Sequence, residues 1–273
     1  MNLYANYDAV RWQNFYGLGN ETNKNINDLD YYRMRYKQFL GSFGIERAIK
    51  NRYRISINPF FQSYEIINDS ARFVAKQQQL PLASIYQNKN FAGANVQFIY
   101  QKVDNNVLPI KGLSVLAVTN YTSGVKNTNA SFGKFSTEAN LYQPLNKKFG
   151  LKLKAGMATL VGDPEFYQFN YIGGGSTLRG YQRERFYGNQ SFYNQNELRW
   201  ITDIKSYLYN GKLGFFGLVD AGRIWLDGEQ SNKWHSSYGG GLIISPFNKI
   251  SISVAYAISP EDKRIHFAAI KVL

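Results

Sequence analysis

An alternation of apolar and polar residues with a period of two runs along most of this 273-residue chain. In the segment 250–258 every even-numbered residue is Ile, Val or Tyr, and every odd-numbered residue is Ser or Ala. Similar alternation recurs over 135–142 and 151–155. Successive side chains of a β-strand point to opposite faces, so this pattern predicts extended strands in sheets with one apolar face.

The length and spacing of these segments favour a membrane barrel over a soluble β-sandwich. Many segments reach about 10 residues, the length of a tilted membrane strand. Short connections at 143–148 and 246–249 alternate with long Gly-, Asn- and Ser-rich loops, as in outer-membrane barrels. We predict one all-β domain over 1–273, a transmembrane antiparallel up-and-down β-barrel with Ile250, Ile252, Val254 and Tyr256 facing lipid. About thirteen strands are predicted, near 2–10, 30–43, 51–64, 71–80, 91–103, 111–122, 131–143, 148–160, 190–203, 212–225, 236–245, 249–258 and 264–272.

The composition narrows the possible functions. The chain has no cysteine and two histidines, which excludes disulfides and thiolate metal sites and argues against a histidine-based metal centre. The net charge of +13 raises the possibility of nucleic-acid binding. However, Lys and Arg alternate with apolar residues and form no basic arm, so we expect anionic lipid headgroups or a cationic lumen, and no nucleic acid. Aromatic residues make up 16% of the chain, which suits belts at membrane interfaces.

The longest loop, 162–189, contains Gly173, Gly174 and Gly175 followed by Ser and Thr. A phosphate-binding loop requires Gly-Lys-Ser/Thr at the start of a helix, and Leu178 and Arg179 stand here instead. A Gly-x-Ser-x-Gly nucleophile motif is also absent. The loop therefore predicts neither a bound cofactor nor catalysis.

The tip of this loop, Leu178-Arg179-Gly180-Tyr181, is followed by Arg-Phe-x-Gly-Asn at 185–189. This segment resembles the sixth extracellular loop of the BamA/TamA superfamily, also called bacterial surface antigens. The segments 196–200 and 218–225 resemble the next two strands, although Leu218 replaces the usual aromatic residue. The stretch 14–22, Asn-Phe-Tyr-Gly-Leu-Gly-Asn-Glu-Thr, resembles Bacteroidetes-type members, some of which are fused to a metallophosphoesterase domain.

The resemblance implies an integral protein of the bacterial outer membrane with a sixteen-stranded barrel. Counting back from the loop makes 2–10 the fourth strand, so about three N-terminal strands and the soluble POTRA modules would be missing. The implied role is a non-catalytic assembly, insertion or translocation factor that needs no cofactor. Its partners would be outer-membrane lipids and lipopolysaccharide, client outer-membrane or secreted proteins, and accessory lipoproteins. Two alternatives remain open: the barrel of a fusion with an N-terminal phosphoesterase or lipase domain, and a porin-like channel.

The resemblance also gives Arg179 a structural role. If the loop folds back into the barrel, the guanidinium needs carboxylate partners, and Glu197 and Asp220 are predicted to point into the lumen. Arg179 as a solvated loop residue is one alternative, and Glu197 with Asp220 as an acid/base pair is another. The alternating cations at 33–37 and at 52–54 suggest either a path for anionic solutes or lumen charges balanced by acids.

Overall fold

In the part of the chain that the structure describes, the main sheet is an antiparallel meander of twelve strands. The computed structural model describes residues 2–77, 80, 82–205 and 210–271. The sheet strands are β1 (Asn2–Asn14), β2 (Arg33–Ile49), β3 (Tyr53–Ile66), β4 (Lys89–Val103), β5 (Gly112–Lys126), β6 (Ser131–Pro144), β7 (Phe149–Asp163), β10 (Gln190–Lys205), β11 (Asn210–Trp225), β12 (His235–Pro246), β13 (Ile250–Ile258) and β14 (Lys263–Lys271). A two-stranded hairpin of β8 (Asn170–Ile172) and β9 (Phe186–Gly188) lies between β7 and β10.

Short helices occupy some of the connections. They are α1 (Leu29–Tyr32), α2 (Leu82–Ile85) and two 3-10 helices, Phe73–Lys76 and Phe166–Gln168. In the part of the chain that the structure describes, none of these helices is long and apolar enough to cross a membrane.

The strand predicted over 71–80 is wrong. Phe73–Lys76 form a 3-10 helix, and residues 78 and 79 lie outside the described residues, as does residue 272 of the predicted last strand. Val74 is buried in an apolar cluster with Phe15 and Met34. The apolar residues of this segment therefore pack within a loop and do not form a strand of the wall. Without it, the described residues form twelve wall strands, seven of them before the connection between β7 and β10, where the sequence predicted eight.

The two faces of the sheet follow the period-two pattern. In β13, Ile252 and Tyr256 are 43% and 46% exposed, whereas Ala255 and Ala257 are buried. In β11, Val219 is 60% exposed and its neighbour Leu218 is buried. The predicted lipid-facing side is therefore confirmed: large apolar residues point outward, as in a membrane barrel.

The sheet curls around the connection between β7 and β10, which we call the lumenal loop (164–189). At one edge of the sheet, the Asn14 side chain in β1 donates a hydrogen bond to the carbonyl of Arg183, 2.9 Å away. At the other edge, the Gly180 amide donates to Nε2 of His266 in β14, 3.1 Å away. Within the described residues no strand pairing joins β1 to β14, so the loop links the two edges.

Packed side chains occupy part of the lumen at both ends. At the loop end, rings including Tyr64 and Tyr167 stack 4.2 Å apart in a buried aromatic cluster. At the turn end, the connection 104–111, which we call the inner turn, folds into the lumen. Its Leu108 packs with Ile201, Phe216, Ile243 and other inward-facing residues of the wall.

Candidate functional site in the lumen

Arg179 lies at the tip of the lumenal loop and is 5% exposed. Its Nε and Nη2 donate to the two carboxylate oxygens of Asp220 at 2.7 and 2.6 Å, and its backbone amide donates to Oδ2 at 3.1 Å. Its Nη1 donates to Oε1 of Glu197 at 2.7 Å. The fork of the guanidinium thus engages both oxygens of Asp220 and one oxygen of Glu197, which fixes its orientation as well as its charge.

The two acids stand on neighbouring strands and face inward because of the strand period. Asp220 in β11 pairs with Gln195 of β10, two residues before Glu197, so both carboxylates share one patch of the wall. Asp220 is fully buried, and Glu197 is 4% exposed. Glu197 also forms ion pairs with Arg199 at 2.6 Å and with Lys152 at 3.5 Å, whereas Asp220 is paired with Arg179.

Glycines let the loop turn sharply on both sides of Arg179. Gly173 and Gly180 have φ of +119° and +84°, a region that disfavours side chains. A Cβ on Gly180 would lie 3.0 Å from Ser237 of β12, so the backbone touches the wall there. Thr177 accepts a hydrogen bond from the Gly173 amide at 2.8 Å and closes the turn.

The neighbours of Arg179 in the motif anchor the tip by burial. Leu178 is fully buried and Tyr181 is 2% exposed, in a cluster with Ile172, Phe186 and Ile224. Burial raises the pKa of Tyr181 to about 12, so its hydroxyl stays protonated and donates to the carbonyl of Ser236 at 3.3 Å. The structure therefore brings Leu178, Arg179, Gly180 and Tyr181 together with the two acids.

A second buried arginine, Arg185, connects the lumenal loop to two other loops, a role that no sequence pattern predicted. Its guanidinium donates to both carboxylate oxygens of Glu261, in the connection between β13 and β14, at 2.7 and 2.9 Å. The same group donates to the hydroxyl and the carbonyl of Thr22, in the connection between β1 and β2. Arg185 is completely buried, so these ion-pair and hydrogen bonds offset the loss of its hydration.

Asn20 extends this network toward β12. Its amide group donates to Ser231 and to the carbonyl of Lys233, and its backbone amide donates to Glu229 at 2.7 Å. His235 lies 3.0 Å from its side-chain oxygen. The stretch 14–22, singled out in the sequence as a resemblance alone, is thus the segment that joins the loops across the outer mouth.

Glu184 fixes the far side of the loop tip to β1. Its Oε2 accepts a hydrogen bond from the Asn14 amide at 2.7 Å, and its Oε1 lies 3.2 Å from Nε of Arg183. Glu184 has a φ of +58° and is 4% exposed. Burial raises the pKa of its carboxyl above the ordinary value, because these partners do not fully replace water.

The cations at 33–37 do not line the lumen, and this interpretation of the sequence is wrong. Arg33, Arg35 and Lys37 alternate with Met34, which is buried inside, and share the face of Phe39, which is 39% exposed. Arg33 and Arg35 lie over the ring of Trp12, at 5.4 and 5.0 Å, on the outer side of the wall.

Comparison with known proteins places this geometry in a family. The Omp85 superfamily domain matches residues 2–269. The chain belongs to the Omp85 superfamily. It is therefore an integral β-barrel protein of the bacterial outer membrane. No curated protein sequence matches it.

Solved structures share the fold of this Omp85 domain. BamA from Haemophilus ducreyi lacking POTRA domains 1–3 superimposes with a TM-score of 0.67 at 16% identity, covering 87% of this chain and 55% of that chain. CdiB from Escherichia coli has a TM-score of 0.56 at 15% identity, covering 88% of this chain and 47% of that chain. CdiB from Acinetobacter baumannii has a TM-score of 0.56 at 14% identity, covering 88% of this chain and 42% of that chain. The Omp85 domain here spans about half the length of these structures.

Proposed function

We propose that this Omp85 domain helps other proteins to insert into the outer membrane or to cross it. The observation that carries the proposal is the lumenal loop, held inside the barrel by Arg179 between Asp220 and Glu197. Client outer-membrane or secreted proteins are the partners that this role requires. The role needs no cofactor, because the folding of the client supplies the free energy.

We propose further that Glu197 and Asp220 are structural and not an acid/base pair. Asp220 is fully buried and receives three hydrogen bonds from Arg179, and Glu197 is bound by Arg179, Arg199 and Lys152. Carboxylates whose oxygens are engaged by cations are held in fixed positions and are poorly available to accept a substrate proton. This arrangement favours an anchoring role.

The test is an insertion assay with purified components. The protein is reconstituted in liposomes, a urea-denatured eight-stranded outer-membrane barrel is diluted into them, and folding is followed by protease protection. We expect faster client folding than in protein-free liposomes, and little acceleration by Arg179→Ala. Equal rates with and without the protein would contradict the proposal.

The channel alternative is separated from this role by conductance. The inner turn and the lumenal loop both occupy the lumen, which disfavours a permanently open pore. We expect small or transient conductance in planar bilayers, whereas a porin-like channel requires a large and steady one.

A further inference from the structure

The excess positive charge of the chain is concentrated at the turn end of the barrel. Lys50, Arg52 and Arg54 line one cavity there, of about 670 Å³, beside the start of β3. Lys147, Lys148, Arg199 and Lys212 line a second cavity, of about 280 Å³, between the ends of β7, β10 and β11. The short turns of outer-membrane barrels face the periplasm, so both cavities open toward that side.

The two ends of the barrel differ in how their cations are balanced. Toward the loop end, Lys89, Arg179 and Arg185 each lie within 2.7 Å of a carboxylate. At the turn end, Arg199 pairs with Glu197 and Lys212 pairs with Asp203, which also lines the second cavity. Within the described residues, however, no ion pair includes five other cations of the two cavities, Lys50, Arg52, Arg54, Lys147 and Lys148. The expectation that acids balance the row at 52–54 is therefore wrong. Closely spaced like charges raise the local concentration of an oppositely charged partner.

Arg54 in the first cavity and Lys148 in the second fall on the lumen side of the wall. Arg54 alternates in β3 with Tyr53 and Ile55, which are 38% and 39% exposed on the lipid side. Lys148 directly precedes Phe149, which is 42% exposed on the lipid side, so the alternation places Lys148 on the opposite, lumen side. A partner that reaches both cavities must enter the mouth of the barrel, which a headgroup anchored in the surrounding bilayer does not do.

The inner turn separates the two cavities. Asn106 lines the first cavity, and Pro109 and Ile110 line the second. Leu108, between them, is buried against the wall and holds the turn in place. A small anion fills one cavity alone, whereas an extended chain that carries several carboxylates spans both, with the turn between its contacts.

We propose that the periplasmic mouth of this barrel binds an acidic, extended polypeptide segment across the two basic cavities. The inference rests on the proposed role in insertion or translocation, in which unfolded segments of other proteins approach from the periplasm. The binding is electrostatic at first contact and therefore weakens as salt screens the charges.

The test measures binding directly. The purified protein in a non-ionic detergent is titrated against a fluorescein-labelled Glu/Ser peptide, and anisotropy is recorded, with a Gln/Ser peptide of equal length as reference. We expect binding of the Glu peptide alone. We expect Arg52→Gln/Arg54→Gln and Lys147→Gln/Lys148→Gln each to weaken it by about tenfold. The matched control Arg33→Gln/Lys37→Gln removes the same charge from the outer face and should leave affinity unchanged.

Each competing explanation has its own readout. Equal loss of affinity in the control variant would show non-specific attraction and overturn the proposal. Displacement of the peptide by inorganic phosphate at equal charge concentration would indicate a small-anion site and overturn the proposal. Displacement by phosphatidylglycerol in mixed micelles with the same detergent would indicate a lipid site and overturn it as well. Liposome insertion separates the two proposals, since insertion without peptide binding refutes this one alone and binding without insertion refutes the proposed function. Circular dichroism verifies the fold of every variant.

Discussion

Asp220→Ala removes the carboxylate that receives most of the hydrogen bonds of Arg179. The substitution deletes the contacts at 2.6, 2.7 and 3.1 Å and leaves one, from Nη1 to Glu197 at 2.7 Å. The guanidinium stays in a site where Arg179 is 5% exposed, so water replaces few of the lost bonds. The docked loop is destabilised relative to a loop released into solvent.

The size of the effect follows from burial. Removing one partner of a fully buried ion pair costs about 3–5 kcal/mol, chiefly because the other charge is left uncompensated. Glu197 continues to accept from Arg179, so we expect the lower end, about 3 kcal/mol. That free energy corresponds to a roughly 10²-fold rise in the population of the released loop.

Trypsin reports this population. The side chain of Arg183 in the loop is 70% exposed, but its backbone is held by the Asn14 side chain, so cleavage after Arg183 requires release of the loop. Cleavage then follows the open population when closing is fast. We expect the rate at this bond, measured by mass spectrometry, to rise roughly 10²-fold in Asp220→Ala and comparably in Arg179→Ala. The double variant should be no worse than the more severe single one, since both break one interaction.

Arg199→Ala is the matched control. It removes another arginine that contacts Glu197 at 2.6 Å but leaves all bonds between Arg179 and Asp220 intact. We expect a much smaller rise in cleavage. Full additivity of Arg179→Ala and Asp220→Ala, or unchanged protection in either, would refute the assignment of this ion pair as the anchor.

Three further predictions concern other parts of the fold. Gly180→Ala places a Cβ 3.0 Å from Ser237 at a positive φ, whereas the control Gly228→Ala also has a positive φ but meets open space. We expect Gly180→Ala to weaken docking of the loop by about 1 kcal/mol, and so to raise trypsin cleavage at Arg183 more than Gly228→Ala does. Because the pKa of Glu184 is raised in the docked loop, docking is strongest below the ordinary pKa of 4.5 and weakens as the pH rises through the raised value. We expect the midpoint of urea unfolding to show this pH dependence, and Glu184→Gln to reduce it. Leu108→Ala should release the inner turn at a cost of about 2–5 kcal/mol and increase bilayer conductance, whereas Leu145→Ala, 55% exposed in the next turn, should do neither.

The period of two was sufficient to predict the twelve strands of the wall, with one strand too many at 71–80, and the inward face of the site. Leu218 and Asp220 fall on one side of β11, and Glu197 and Arg199 on one side of β10, as the alternation requires. The position of a side chain across a wall depends on its own strand alone, and so it can be predicted locally. The acids that Arg179 meets were therefore accessible from sequence once the loop was expected to fold inward.

Contacts between loops were not accessible in this way. Arg185 meets Thr22 and Glu261, which are 163 and 76 residues away, and no local pattern specifies such pairs. The rule that apolar residues face lipid also fails near the rim. There Met34 turns inward to pack the loop cluster, which sends Arg33 and Arg35 to the outer side, over Trp12.

The central claim is that Arg179 acts by holding the lumenal loop in the barrel, and a cross-link tests it most directly. The chain has no cysteine, and a Cβ at Gly175 would lie 3.7 Å from Cβ of His266 in β14, within the range of a disulfide. Gly175→Cys/His266→Cys is introduced into Arg179→Ala, and client insertion into liposomes is compared in the oxidised and reduced states. We expect oxidation to restore the insertion rate that Arg179→Ala loses, and reduction to remove it again. A fully formed cross-link that leaves insertion as slow as in Arg179→Ala would contradict the claim.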